Sequence, residues 1–203
     1  RLHPRASAAA YRLFVSLMFV KPSMPDSSAA ELPAVDTEAD CKVDTWLAAA
    51  RRGDLAAFAS LVRLHQSRVF SVALRLCRQR EDAQEVAQDA FVQLHGALAG
   101  IESPAHLKHW LLCTVTHRAI DRLRQMARRP RLAALDGIPE VAAPEEQAPD
   151  PLARRRLRNA IAMLAPDARA VIVLRFQEDL DPLEIARVLG MPHNTVKSHL
   201  RRA

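Results

Sequence analysis

Residues 180–203, LDPLEIARVLGMPHNTVKSHLRRA, leave the chain few choices of structure. Asp181-Pro182-Leu183-Glu184 is a capping-box pattern. The Asp181 carboxylate can accept from the Glu184 amide while Glu184 reaches back to the Asp181 amide. Pro182 falls at the first helical position, where its missing donor is harmless. Ile185, Val188 and Leu189 give this helix an inner face, and Ala186 is small enough to let a second helix approach. Gly190 supplies the left-handed conformation that stops a helix. Met191 and Pro192 then begin a second helix, with Val196 and Leu200, four apart, facing inward. Two short helices meeting at one Gly form the layout of a helix-turn-helix, whose second helix enters a major groove. Lys197, Arg201 and Arg202 suit phosphate contacts, as does the helix N-terminus. Asn194, Thr195, Ser198 and His199 have the donors and acceptors to reach base edges. The competing reading is a helical hairpin with a solvated basic face.

Charge supports an anionic partner. The 203 residues carry a formal net charge of +6, and that charge is unevenly distributed. Residues 46–129 hold 13 Lys/Arg against 7 Asp/Glu, residues 130–150 hold one Arg against five acids, and residues 151–203 hold ten against five. Two basic blocks flank an acidic strip. With 4% aromatic residues and 5 Gly among abundant Ala, Leu, Arg and Val, helices are favoured over sheets. Cys41, Cys77 and Cys113 are odd in number and form no CxxC, which argues against a disulfide scaffold and for a reducing, cytoplasmic setting. Cys77 and Cys113 lie in apolar helical patterns and are expected to be buried.

Helical spacing begins near Val43. Trp46, Leu47, Leu55, Phe58, Val62, Val69, Ala73 and Leu76 form an inner stripe, interrupted at Gly53-Asp54, where one helix stops and Asp54 caps the next. A second break is expected at Arg80-Glu81-Asp82. Ala83, Val86, Ala90, Phe91 and Leu94 then form another stripe over 82–98, with acids in its first turn. Ser103 is placed to cap a helix with Pro104 at its first position. That helix runs to 129, with Leu107, Trp110, Leu111, Thr114, Ala119, Ile120 and Leu123 toward a core and Arg118, Arg122, Arg124, Arg128 and Arg129 largely away from it. The sum is a four-helix N-terminal domain.

Residues 130–150 contain Pro130, Pro139, Pro144 and Pro149, which preclude a long helix and predict an extended, flexible acidic linker. Beyond it, Leu157, Ile161 and Leu164 make one stripe, and Pro166-Asp167 opens a new helix carried on by Val171, Leu174 and Arg175. The expected architecture is therefore all-α: two small helical domains joined by a flexible linker, the second a helix-turn-helix. Its divisions are 1–42, a disordered or non-native extension; 43–129; the linker 130–151; and 152–203. The apolar stretch LFVSLMFV, residues 13–20, falls short of the roughly 18 residues a membrane span needs. Met24 is a plausible start, with 1–23 as extra translated sequence.

These stretches resemble bacterial sigma-70 family factors of the extracytoplasmic-function kind, over about 46–129 and 152–203. GDLAAFASLVRLHQSRVFSVALRLC is similar to the family's opening helices, and DAQEVAQDAFVQLH, residues 82–95, to the helix that meets the clamp coiled coil of the polymerase's large catalytic subunit. The resemblance makes Asp82, Glu85, Gln88 and Asp89 polymerase contacts, in keeping with an acidic face meeting a basic partner. HWLLCTVTHRAIDRLRQMARR resembles the helix at the upstream edge of the −10 promoter element, which implies DNA contacts by His117, Arg118, Arg122 and Arg124, with Asp121 organising the helix surface. The loop 100–106 matches the one that receives an extruded −10 base, a step cheapest where duplex is already melting. The terminal helix pair resembles sigma region 4, of winged-helix-like type, which reads the −35 element. Implied partners are core RNA polymerase (clamp coiled coil and flap), promoter DNA and an anti-sigma factor; catalysis belongs to the polymerase, and no cofactor or metal is implied.

The chain departs from the family where Thr116-His117 replaces an Arg-Asn pair, where His199 replaces Arg and where Asn194 replaces Gly. Unusual promoter elements or weaker affinity would follow. The family commonly continues a few basic residues past the position of Ala203, so a shortened C-terminus is a further expectation. Three other functions compete. A helix-turn-helix regulator without stable polymerase binding needs a dimerisation or ligand module, and 46–129 gives no clear dimer seam. A mimic that occupies an anti-sigma factor would lack polymerase binding. A metal enzyme would draw on His106, His109 and His117, but the spacing of the first two is poor for ligation and HExxH is absent.

Overall fold

The computed structural model describes residues 37–128 and 151–202. The linker 130–150, the apolar stretch 13–20 and most of the N-terminal extension lie outside the described residues. The described residues hold eight α-helices and no strand. They are α1 (Thr37–Arg51), α2 (Leu55–Cys77), α3 (Arg80–Ala97), a 3-10 turn (Leu98–Gly100), α4 (Pro104–Arg128), α5 (Pro151–Met163), α6 (Pro166–Phe176), α7 (Pro182–Leu189) and α8 (His193–Arg202).

Helix α1 begins at Thr37, earlier than the apolar pattern at Val43 indicates, so residues 37–42 are helical rather than an unstructured end. The last proline before it is Pro33, and no Gly or Pro follows until Gly53, so nothing in the backbone breaks this helix. The expected punctuation at Gly53-Asp54 is present. Gly53 has φ +95, and Asp54 Oδ1 accepts from the Ala56 and Ala57 amides at 2.8 and 3.2 Å. The break expected at 80–82 falls earlier, at Arg78 (φ +68), whose amide donates to the Leu74 carbonyl at 2.9 Å. An arginine thus occupies the left-handed position usually given to Gly, at a cost of about 1–2 kcal/mol. Ser103 caps α4 as expected, its Oγ accepting from the His106 amide at 3.1 Å.

Two compact units make up the described residues. The first takes 37–67 and 87–111. Phe58, Leu61, Val62, Phe91, Leu94 and Leu107 are its largest fully buried side chains besides Leu47 and Ile101. The Phe58 and His95 rings meet edge to face at 5.4 Å, and burial holds the His95 imidazole below its ordinary pKa. Leu55, expected inside, is 54% exposed, because it opens α2 just after the Asp54 cap.

The second unit takes 68–86, 112–128 and 151–202, grouping the ends of α2–α4 with α5–α8. Val72, Ala73, Leu76, Ala83, Val115 and Ala119 are buried from the first three of these helices, and Ala170, Val171, Leu174, Ile185, Val188 and Val196 from the last three. Arg169 lies among them, 7% exposed. Its Nη1 donates to the Leu76 carbonyl at 2.7 Å, and its Nη2 to the Ala162 and Leu164 carbonyls at 2.6 and 3.3 Å. Leu76 and Ala162 lie in the last turns of α2 and α5, and Leu164 follows the end of α5, where helices leave acceptors without intrahelical donors. One guanidinium therefore finishes two helices. Burial, then the nearby Arg78 charge, opposes its ionised form. Helix α5 meets α6 through these last residues, which leaves Leu157 61% exposed, contrary to its expected place in a core stripe.

Cys77 is buried and Cys113 half-buried. Burial, reinforced by the Asp82 charge, pushes the Cys77 thiol up to about 12. Cys113 is also raised by burial, whereas Cys41 is exposed. Because the thiolate is the reactive species, native protein at neutral pH should be alkylated at Cys41 first, with Cys77 labelled only on denaturation. Mass-spectrometric mapping checks this, and rapid native labelling of Cys77 would contradict the packing around it.

Candidate nucleic-acid interface

The terminal helix pair is built as its sequence requires. Asp181 Oδ1 accepts from the Leu183 and Glu184 amides at 2.7 and 2.8 Å, and the Asp181 amide donates to Glu184 Oε2 at 2.8 Å. The Glu184 amide foremost holds the Asp181 carboxyl below the usual carboxylate range. Gly190 adopts φ +63, and the following Met191 amide donates to the Ala186 carbonyl at 3.1 Å. Ile185, Ala186, Val188, Leu189 and Val196 are buried, while Leu200 is half-buried. Helix α8 packs on both α6 and α7. Its orientation is therefore fixed by core contacts, and its polar row is left outward. Asn194, Thr195, Lys197, Arg201 and Arg202 are exposed, and Ser198 and His199 half-buried. Ser198 Oγ donates back to the Asn194 carbonyl at 2.8 Å, which uses its proton within the helix and leaves its lone pairs for a ligand.

On α4, His117 and Arg118 are exposed, but the other two predicted DNA contacts are engaged. Arg122 lies on the acids of α3: Nη2 reaches Asp82 Oδ1 at 2.6 Å and Glu85 Oε2 at 2.8 Å, and Nε donates to Asp82 Oδ1 at 2.8 Å. Arg124 Nη2 donates to both oxygens of Asp167, on α6, at 2.9 and 3.0 Å. Glu85 is exposed, and Gln88 and Asp89 are half-buried one turn along the same helix. The Asp82 side chain is only 7% exposed and one of its oxygens is taken by Arg122, so it braces α3 against α4. The Asp82 hydrogen bond chiefly holds the Arg122 guanidinium further toward its charged form.

His106 accepts from the Glu102 amide through Nδ1 at 3.2 Å, and His109 and His117 are exposed. No group of three or more metal-ligating side chains gathers among the described residues, and no described helix is long and apolar enough to cross a membrane. Sequence reasoning missed Arg169 altogether. The available signal was an arginine inside the apolar run of DARAVIVL, a position that repays no charge unless carbonyls surround it.

Comparison with known proteins settles the family. Sigma-70 region 2 matches residues 61–129, and Sigma-70, region 4, matches 154–203. The chain is 32% identical over 157 residues to the ECF RNA polymerase sigma factor SigM of Mycobacterium tuberculosis (strain ATCC 25618 / H37Rv), across 77% of this chain and 78% of that protein. The chain belongs to the extracytoplasmic-function (ECF) group of the sigma-70 family. This ECF chain is also 26% identical to the ECF RNA polymerase sigma factor SigW of Bacillus subtilis (strain 168), across 75% of this chain and 87% of that protein. A solved structure of CnrH in complex with the cytosolic domain of CnrY matches with a TM-score of 0.54 and 25% identity, covering 80% of this chain and 92% of that one. In this ECF chain, α8 lies within the region 4 match and α4 within the region 2 match.

The brace and the exposed acid beside it should respond differently to substitution. Asp82→Ala removes two of the three carboxylate contacts of the Arg122 guanidinium, leaving Glu85, and should cost about 1–3 kcal/mol. Glu85→Ala, an exposed partner, should stay within about 1 kcal/mol. Urea unfolding of both variants measures this, and equal losses would refute the assignment of Asp82 as the brace.

Proposed function

We propose that this sigma-70 family chain binds core RNA polymerase, directs it to promoters through two DNA-reading modules and assists melting at the −10 element. The observation that carries the reading is the exposed polar row of α8 on a helix fixed by a capping box, a left-handed Gly and a buried Val196. A rigid helix with outward Asn, Thr, Lys and Arg is what major-groove recognition needs. Residues 152–203 form the −35 module in this account, with Lys197, Arg201 and Arg202 on phosphates and Asn194, Thr195, Ser198 and His199 toward base edges. Residues 43–129 form the polymerase and −10 module, with Glu85, Gln88 and Asp89 toward the clamp coiled coil and His117, Arg118 and Arg124 toward DNA. The flap is the contact proposed for the −35 module.

The linker 130–150 joins the modules. Twenty-one residues at full extension reach at most about 70 Å, enough for both elements on one polymerase and for the gain that tethering gives two weak binders. The polymerase supplies the catalysis, and the chain works where the polymerase does, in the cytoplasm. CnrH is known in complex with the cytosolic domain of a second protein; an anti-sigma factor is the corresponding regulator proposed here.

Lys197→Ala and Arg201→Ala should each weaken binding to promoter duplex and flatten the dependence of log K on log salt by about 1. A salt titration by fluorescence anisotropy measures both, and unchanged slopes would contradict phosphate contact by α8. Glu85→Lys and Asp89→Lys should lower affinity for core polymerase by about tenfold or more. Full DNA binding with no polymerase binding in the unaltered chain would favour the stand-alone regulator instead.

A further inference from the structure

Ser198 occupies the middle of the outward face of α8. A helix turns about 100° per residue, so a position two residues from both Val196 and Leu200 lies on the side opposite to them. Val196 is buried and Leu200 half-buried, and Ser198 therefore stands away from the core, with Asn194 one turn before it and Arg202 one turn after. Its hydroxyl already has a partner: Oγ donates to the Asn194 carbonyl at 2.8 Å. A carbonyl oxygen only accepts, so the hydroxyl proton is committed inside the helix, and the side chain offers lone pairs alone to anything outside. Phosphodiester oxygens are acceptors too, so they give this side chain no partner. Base edges do. In the major groove adenine and cytosine each carry an amino donor, whereas thymine and guanine carry a carbonyl acceptor.

We infer that Ser198 accepts from the amino group of one adenine or cytosine in the −35 element and so determines which way round that base pair stands. The inference rests on the reading of α8 as a major-groove helix and names the chemistry of one base that it reads. With an amino base, Oγ takes the base N–H and keeps its own bond to the Asn194 carbonyl. With a keto base, the hydroxyl proton must leave Asn194 to reach the base, so one hydrogen bond is gained and one lost. The amino base is ahead by one net hydrogen bond, roughly two- to tenfold in affinity. Exchanging the strands of the pair moves the amino group to the far side, so Ser198 tolerates A·T and C·G in one orientation and disfavours T·A and G·C. Only one torsion separates the backbone from Oγ, so the side chain stays with one base pair, unlike the long side chains of Arg201 and Arg202 beside it.

The test uses the full chain bound to core polymerase and selects duplexes from a library randomised across the −35 element. Ser198→Ala should flatten the preference at one position and leave the rest of the element intact. Ser198→Thr keeps a hydroxyl that can bond the same carbonyl and should restore it. Should Ala disturb the helix, Ser198→Cys, whose sulfur accepts only weakly, carries the same expected loss. Synthetic duplexes then probe that position group by group. Replacing adenine by purine, or cytosine by a pyrimidinone without the amino group, should weaken wild-type binding by roughly two- to tenfold and leave S198A unchanged. A deaza base that lacks the major-groove ring nitrogen should cost both chains equally. Coupling of Ser198 to that ring nitrogen or to a base carbonyl, in place of the amino group, would overturn the inference, because the hydroxyl would then be donating. An element that S198A leaves unchanged at every position, or weakens uniformly with every preference kept, would overturn it as well. If the wild-type complex enriches no −35 element at all, the proposed function is contradicted and the inference falls with it. That outcome is distinct from an element that is selected without regard to Ser198.

Discussion

The ends of helices govern this structure more than their middles. Eight helices leave many carbonyls and amides without intrahelical partners, and each must be satisfied by a neighbour or by water. At the end of α2 and α5 the answer is Arg169, whose guanidinium takes carbonyls from both. A buried cation is costly alone, so this position tolerates an arginine only while those carbonyls are near. That dependence ties α6 to α2, and through α6 it sets where α7 and α8 stand. At α7 the solution is local, with Asp181, Glu184 and Gly190 closing their own helix. Helix α8 thus inherits its orientation from one long-range cap and one short-range cap.

The charged residues divide by what surrounds them. On α8, Lys197, Arg201 and Arg202 are exposed and pair with no carboxylate among the described residues. Those of α4 are shared between outward arginine and histidine and inward pairing. Arg122 and Asp82 form a brace between two helices, one of which is proposed to meet polymerase and the other DNA. Through that brace, a displacement of α3 would be felt directly by α4.

Much of this was legible in the sequence because caps and breakers act locally. The Asp54 and Ser103 caps, the Pro166 start, the full Asp181–Glu184 box and the Gly190 turn all follow from residues within four positions of each other. The apolar stripe of Ala83, Val86, Ala90, Phe91 and Leu94 is buried throughout, because helical periodicity reports one face reliably. What escaped was long-range. Arg169 spans 93 residues to Leu76, and Arg124 spans 43 to Asp167, separations at which no spacing rule applies. Asp82 looked like a surface acid because its partner lies 40 residues away. Leu157 looked like core because its stripe was sound but the surface to cover it was not there. Arg78 evaded notice as a helix stop because the left-handed position usually advertises itself with Gly. The exposure of the candidate residues was accordingly most legible on α8, where outward polarity is a local pattern, and least legible on α4, where long-range pairing engages Arg122 and Arg124.

The central claim is that this chain gives core RNA polymerase its choice of promoter. Run-off transcription from a genomic promoter library, with core polymerase alone and with the chain added, tests it most directly. The account predicts discrete start sites that appear only with the chain, preceded by two shared sequence elements, and lost when Lys197 and Arg201 are both replaced by Ala. Start sites identical with and without the chain, under conditions where the two proteins bind, would contradict it.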